Sequence, residues 1–593
     1  MYHMHNLLQR QRKSLALLFL YLCPYIINTK PKRTMRKLFT TTMGVLCAAC
    51  MAVAQNNPSA DADQLTTVIT QPQIQVQNPF IWADCPDPDI IRVGDYYYLV
   101  TTTMHLFPGA PIMRSTDLAH WETVSYLFDE IKDTPRYDLQ EGTVYGRGQW
   151  ATSLRYHKGT FWALFVANDD PHKSMVFKTD DPAKGWKLHS RLPAYHDSSL
   201  FFDDDDRVYV FSGSGDIKLV ELTADLTAEK PGGIKKTLQL NGKPQGLHEG
   251  SRVIKHEGMY YLLCIAWPRT GREEICYRSK NIEGPYDSKV ILKSDFGGFP
   301  LAGQGTIVNG KHGEWYGVMF QDRGGVGRVL TLEPCSWIDG WPILGTNGDG
   351  KIPTTVTLDG QCECHKTPAY AQIEKDYQWN HNYIKADIAP LPAKGEKPHF
   401  GQSLFEEGSF RMIAPFGNGG VVLKTSVLAK SIFDARNTLT WRTWGPTCSD
   451  TICIDARQMK DGDCAGFSAL NGDSGLLTIK LSSGQYTLTM SEESVQLTND
   501  TKAITGVEAK EVETVKLPKG KVGKVWLRID GDFQPGQNDA ANFYYSLDGK
   551  TFTQIGTRNY RMRFDYRRLF MGTRYAAFYY PTKQVGGQVT LTL

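Results

Sequence analysis

Apolar residues in this chain alternate with polar ones over short runs, and the runs come in pairs. In DIIRVGDYYYLV (residues 89–100) two β-branched or aromatic stretches flank Gly-Asp, the composition of a hairpin and its turn. The same plan recurs at ATSLRYHKGTFWALF (151–165), DSSLFFDDDDRVYVF (197–211), EGSRVIKHEGMYYLLC (249–264) and QGTIVNGKHGEWYGVM (304–319). Five hairpins at intervals of roughly fifty to sixty-five residues, with no sustained helical period between them, predict radial repetition. The expectation is an all-β chain whose residues 78–360 form a five-bladed β-propeller.

After Gly345 the pattern turns irregular through KTPAYAQ and LPAKGEKP, a Pro/Gly/Lys-rich composition typical of linkers. Alternation then resumes in GLLTIKLSS, QYTLTMS, VWLRIDGD and NFYYSLDG, short strands bounded by Gly, Asn and Asp. These predict a β-sandwich over residues 370–593.

Composition narrows the function. Apolar content of 41% and charge of 22% are those of a globular chain, neither disordered nor membrane-spanning. The 13 Trp, 28 Tyr and 26 Phe suit β-structure and also suit sugar rings, whose apolar faces stack on aromatic ones. From Met35 the chain reads MRKLFTTTMGVLCAACMAVAQN: a basic start, a short apolar stretch, then Ala52-Val53-Ala54. That is the pattern of a secretory signal peptide, so residues 1–54 are expected to be a leader, with Met35 the true start. The upstream run SLALLFLYLCPYII is too short to span a bilayer comfortably. Ala48-Ala49-Cys50 partly resembles a lipoprotein cleavage site, an alternative that would anchor the chain at Cys50. Export to the periplasm or surface of a bacterium is the expected location, with no membrane span in the mature chain.

Loss of the leader removes eight of the 66 basic residues and none of the 63 acidic ones, leaving a net charge near −5. Nucleic acid is therefore not an expected partner. Three of the twelve cysteines (Cys23, Cys47 and Cys50) leave with it. Of the remaining nine, Cys264 and Cys276 read as small buried residues, and Cys362-Glu-Cys364 is too tight for a zinc ribbon. No disulfide framework is legible.

Alignment of the repeats on their first strands places Asp87, Ala151, Asp197, Glu249 and Gln304 in equivalent positions near the propeller axis. Each acid has a bland reading on its own: Asp-Pro as a plain turn, Glu249 as a strand-edge acid, and Asp203–Asp206 as a solvated loop. Asp89 reads as a support residue or a turn acid, the turn acid being preferred. Three carboxylates in register are another matter, because like charges in a partly dry pocket are costly and shift each other's pKa. Two carboxyls cleave a glycosidic bond, and a third can tune the proton donor, so the pattern predicts a glycosidase. The sialidase box S-x-D-x-G-x-x-W is absent from the propeller region; SLDGKTF (546–552) is one residue short of it.

NPFIWADCPDPDIIRVGDYYYLVTTT, FPGAPIMRSTDLAHWE, YGRGQWATSLRYHKGTFW, HDSSLFFDDDDRVYVF, LHEGSRVIKHEGMYYLL and WIDGWPILG resemble, in order, the motifs of glycoside hydrolase family 43. ARNTLTWRTWGP (435–446) and MKDGDCAGFSAL (459–470) resemble the concanavalin-like sandwich that accompanies its xylosidase/arabinofuranosidase branch. The resemblance implies inverting hydrolysis that releases terminal α-L-arabinofuranosyl or β-D-xylosyl units from plant hemicellulose polysaccharide or oligosaccharide. It assigns Asp87 as general base, Asp197 as the pKa-tuning acid and Glu249 as general acid. Trp150 matches a pocket aromatic, and Arg323 falls near an arginine that contacts sugar hydroxyls. Gln304, a substrate-binding candidate with Trp150 and Arg323, stands where many members carry a His associated with a central metal ion; with Gln there, no catalytic metal and no cofactor are expected, and a structural calcium is not predicted. The alternatives are an endo-arabinanase and a non-catalytic surface glycan-binding protein.

Overall fold

The computed structural model describes residues 73–593, except 170, 301, 360–374, 403, 405–418, 519–521 and 537. The leader with its two cleavage sites, Cys362 and Cys364 lie outside the described residues. Among the described residues regular structure is almost entirely strand, with short 3-10 turns, and no helix is long and apolar enough to cross a membrane.

Five four-stranded antiparallel sheets follow one another along the chain, at 89–128, 149–193, 199–237, 247–292 and 302–344. Each is a meander of consecutive strands, and the first strands of successive sheets touch in a closed ring. These are the five blades of a propeller. Beside the ring closure, Gln73–Gln77 pairs with Thr355–Asp359, and Val76, Val356 and Leu358 pack with Leu99 of blade 1 and Val318 and Leu332 of blade 5.

A repeated hydrogen bond joins the inner strands. In blades 1, 2 and 3 the first residue of the regular inner stretch turns its side chain to the next blade: Leu154 N–H donates to Asp89 Oδ2 (2.9 Å), Leu200 N–H to Ser153 Oγ (2.9 Å) and Val253 N–H to Ser199 Oγ (3.0 Å). Asp89 is fully buried and also ion-paired with Arg155 at 2.6 Å. It is a strut between blades rather than the turn acid its sequence context suggests, because burial demands that its charge be paired. No disulfide joins any of the seven cysteines among the described residues. In the Asp203–Asp206 turn, Asp203 is drawn onto Lys255 (2.5 Å) and Tyr260 (2.6 Å).

The rest of the chain forms a seven-stranded and an eight-stranded sheet, closed on an apolar interior that includes Trp441, Phe467, Leu477, Leu527, Ile529 and Phe543. Propeller and sandwich are joined by main-chain bonds. Phe107 and Trp379 exchange both N–H···O bonds (2.9 and 2.6 Å), and Gln378 Nε2 donates to Pro108 O (2.6 Å). Nearer the axis, Asp84 Oδ1 accepts from Arg328 N–H of blade 5 while its Oδ2 accepts from Gly572 N–H of the sandwich, both at 2.8 Å.

Candidate active site

The inner strands share one irregularity. In blades 2, 4 and 5 the register slips at the same point: Trp150↔Val166 gives way to Ser153↔Leu164, Glu249↔Ile265 to Arg252↔Leu263, and Ala302↔Gln321 to Gly305↔Met319. Blades 1 and 3 show it through single bonds, Thr102 N–H to Pro86 O and Gly213 N–H to His196 O, beyond the pairs Asp89↔Val100 and Ser199↔Phe211. The extra residue is a β-bulge, a device that re-aims side chains at the end of a strand.

The bulge corrects the alignment read from sequence. Asp87, Ala151 and Asp197 are equivalent, but the residues in line with them are Gly250 and Gly303, not Glu249 and Gln304. Four of the five adopt left-handed backbone: Asp87 at φ 53°, Asp197 at 44°, Gly250 at 77° and Gly303 at 104°. Asp tolerates that region better than other side-chain-bearing residues, and Gly is at home in it. Glu249 therefore projects from the preceding position, the one that His196 and Trp150 occupy in their own blades.

From these positions the three acids meet. His196 Nε2 lies 3.0 Å from Glu249 Oε2 and 3.9 Å from Asp197 Oδ1. Thr102 Oγ1–H donates to Asp87 Oδ2 (2.7 Å), and Arg328 Nη1 reaches Asp87 Oδ1 at 3.3 Å. Burial, reinforced by the charges of Glu249 and Asp87 and opposed by His196 and Arg252, pushes the Asp197 carboxyl up to about 7. For His196 burial alone would lower the imidazole, but its bond to Glu249 and the charges of all three acids carry it up to about 9. Glu249 runs the other way. Burial would raise it, yet the hydrogen bond and charge of His196, with a bond from Ser214, hold it below its ordinary value. Groups this close titrate together, so the dissociable proton belongs to the His196–Asp197–Glu249 cluster rather than to one residue.

Aromatic side chains wall the pocket. The Trp150 ring stands 5.9 Å from His196 and 5.7 Å from Phe570, which comes from the sandwich. Arg328 is sandwiched in turn, 4.8 Å from the Phe570 ring. Arg323 is placed elsewhere. It is buried in a box of Trp82, Phe296 and Phe299, donates to Gln321 Oε1 (2.9 Å), and none of these contacts is with the acids. The turn Gly324–Val326 reverses the chain between the two arginines, and it is Arg328 that re-enters the pocket.

Gln304 is buried against Gly250, where a Cβ would come within 2.4 Å of its Cδ. Below the acids, the fully buried Arg252 guanidinium donates to Ser251 O (2.9 Å), Asp87 O (3.1 Å), Ser198 O (3.3 Å) and Thr152 O (3.4 Å). A protein cation thus already binds the inward carbonyls of four blades. His196, Asp197 and Glu249 offer atoms within 4.8 Å of one another, but His196 Nε2 and Glu249 Oε2 are already engaged with each other at 3.0 Å. With a guanidinium on the axis and a neutral amide at Gln304, the donor set does not fit a metal ion, and no step is derived through one.

His196, Arg328, Phe570 and Thr102 were not singled out from sequence. His196 adjoins Asp197 and could have been found by asking what pairs with a buried acid. Phe570 carried no local signal, since only folding of the second domain brings it to the pocket.

Paired carboxyls at the mouth of a propeller, one bonded to a cation and one clustered with an imidazole and a third acid, define the site of an enzyme that cleaves glycosidic bonds. Residues 76–342 match the model of glycosyl hydrolases family 43, and 417–590 that of the beta xylosidase C-terminal concanavalin A-like domain. A beta-xylosidase of Formosa agariphila is 26% identical over 550 residues, 81% of this chain and 83% of its own length. A non-reducing end alpha-L-arabinofuranosidase of Bacteroides ovatus is 30% identical over 292 residues, 46% of this chain and 54% of its own. A bifunctional GH43-CE protein of Bacteroides eggerthii superposes with a TM-score of 0.73 at 34% identity, covering 88% of this chain, which spans 63% of that longer one. Residues 76–342 belong to glycosyl hydrolase family 43, and the chain is a glycosidase.

Proposed function

We propose that the enzyme is an exo-acting, inverting hydrolase that releases terminal α-L-arabinofuranosyl or β-D-xylosyl units from arabinoxylan and its oligosaccharides. The observation that carries this reading is the wall made by Trp150 and Phe570 beside the acids: with the sandwich closed over one side, the site is a pocket for a chain end rather than a cleft for a chain interior. The names of the Formosa and Bacteroides ovatus relatives supply the two candidate sugars.

Asp87, held by Thr102 and Arg328, takes a proton from water, and the water oxygen attacks the anomeric carbon. Glu249 gives its proton to the glycosidic oxygen as the carbon–oxygen bond breaks, so the sugar leaves with inverted configuration. Asp87 stands outside the tight His196–Asp197–Glu249 group, in keeping with a water between base and sugar. Arrival of the leaving group beside Glu249 excludes water, which favours the neutral acid and draws the cluster's proton onto it. The leader supports action outside the cytoplasm, in the periplasm or at the cell surface, on plant polysaccharide.

The test is hydrolysis of aryl β-D-xyloside and aryl α-L-arabinofuranoside by wild type and Glu249→Ala. The expected result is turnover of at least one substrate, falling about 10²–10⁴-fold in the variant and recovering in part when the leaving group is a very good one. A wild type inert on both substrates would sink the exo reading.

A further inference from the structure

The mouth of the pocket carries an aromatic ring that the chemistry above does not use. Among the described residues three aromatic side chains are exposed, Tyr156, Trp267 and Tyr566, and two of these border the catalytic face. Trp267 ends the second strand of blade 4, opposite Leu247, two residues beyond the Glu249↔Ile265 pair. That places it about 7 Å along the strand from the acid, toward solvent. Its ring is 43% exposed and Leu247 is 38% exposed, a small apolar patch beside the proton donor.

Trp267 is not loose. The Arg272 guanidinium lies 4.7 Å from its ring, is itself buried against Phe320, and is fixed by Asp322 at 2.6 Å. One face of the indole is thus occupied and the side chain immobilised, while the rest stays open. The equivalent rim residue of blade 5, Arg323, is instead covered by three aromatic rings. Arg272 holds one face of the indole, and the other stays open to a ligand.

We propose that Trp267, backed by Arg272, is the platform for the sugar on the leaving-group side of the scissile bond, taking the apolar face of a xylopyranosyl ring. This rests on the assignment of Glu249 as the acid: the group it protonates departs on its side, so the next ring lies above Glu249 toward the mouth. A flat indole there stacks on a pyranose without demanding a particular hydroxyl pattern. The platform rewards substrates whose leaving group is itself a sugar ring.

The experiment compares 1,4-β-xylobiose with β-D-xylosyl fluoride, whose leaving group is a single atom, for wild type, Trp267→Ala, Trp267→Phe and Tyr566→Ala. The expected outcome is a roughly tenfold or greater loss of kcat/KM on xylobiose for Trp267→Ala, unchanged turnover of the fluoride, and substantial recovery with Phe. Equal losses on both substrates would mark Trp267 as merely structural and overturn the proposal. So would an undiminished Trp267→Ala, or a selective loss in Tyr566→Ala instead. A wild type inert on both compounds removes the xylosyl reading on which the platform rests and overturns the proposal with it, an outcome distinct from an active wild type indifferent to Trp267.

Discussion

The propeller and the sandwich spend their interiors differently. Between the sheets of the sandwich lie Trp441, Phe467, Leu477, Ile529 and Phe543, a core of apolar surface removed from water. Along the propeller axis lie Asp87, Asp197, Arg252 and Gln304, with Glu274 and Glu333 buried nearby. Burial holds the Glu274 carboxyl well above its usual range and Glu333 at about 8. Ionisable groups in such places seldom stabilise a fold more than apolar replacements would. The difference separates what holds the molecule together from what it does.

Paired substitutions give the sharpest break. Asp87→Asn is expected to lower kcat by about 10²–10⁴-fold with the unfolding midpoint nearly unchanged. Trp441→Ala is expected to cost about 3–5 kcal/mol of stability, read by denaturant titration, with near-normal kcat for the molecules that remain folded. If each variant lost both properties equally, the division of labour would be wrong.

Phe570→Ala tests a side chain that belongs to the sandwich by sequence and to the pocket by position. Its expected signature is a kcat/KM on aryl glycosides lower by roughly 10–100-fold, mostly through KM, with little change in thermal stability. A variant that lost stability and kept its KM would return Phe570 to the sandwich.

The smallest effect concerns Asp197. Its carboxyl is raised from 3.8 to about 7, so the fold favours the protonated form. The contribution to stability is fully present below the unfolded value near 4 and is lost as pH rises through 7. Asp197→Asn is therefore expected to raise the melting temperature at pH 7–8, to show no such gain at pH 4, and to lower activity at both. A variant that is less stable at neutral pH would contradict the account of this residue as strained for function.

Fold class was legible because strand alternation and turn chemistry repeat five times, and because the sandwich strands alternate just as plainly. The acids were legible as residues, but their register was not. Glu249 and Gln304 each sit one place off the alignment, since a bulge adds a residue without altering composition. Asp197 and Asp87 stand out in the sequence because Asp in left-handed backbone leaves a mark there, an acid just before a strand. Arg328 was missed in favour of Arg323 because a turn of three residues decides which of two nearby arginines faces the pocket. His196 and Phe570 matter through tertiary contact alone.

Asp84 has a consequence for how this protein can change over generations. One oxygen of its carboxylate holds blade 5 beside the base, and the other holds the sandwich loop that delivers Phe570. A single side chain thus ties the lineage of one domain to that of the other. Recombination that exchanged the sandwich for a distant cousin would have to preserve the Gly572 amide and its loop, or forfeit the pocket.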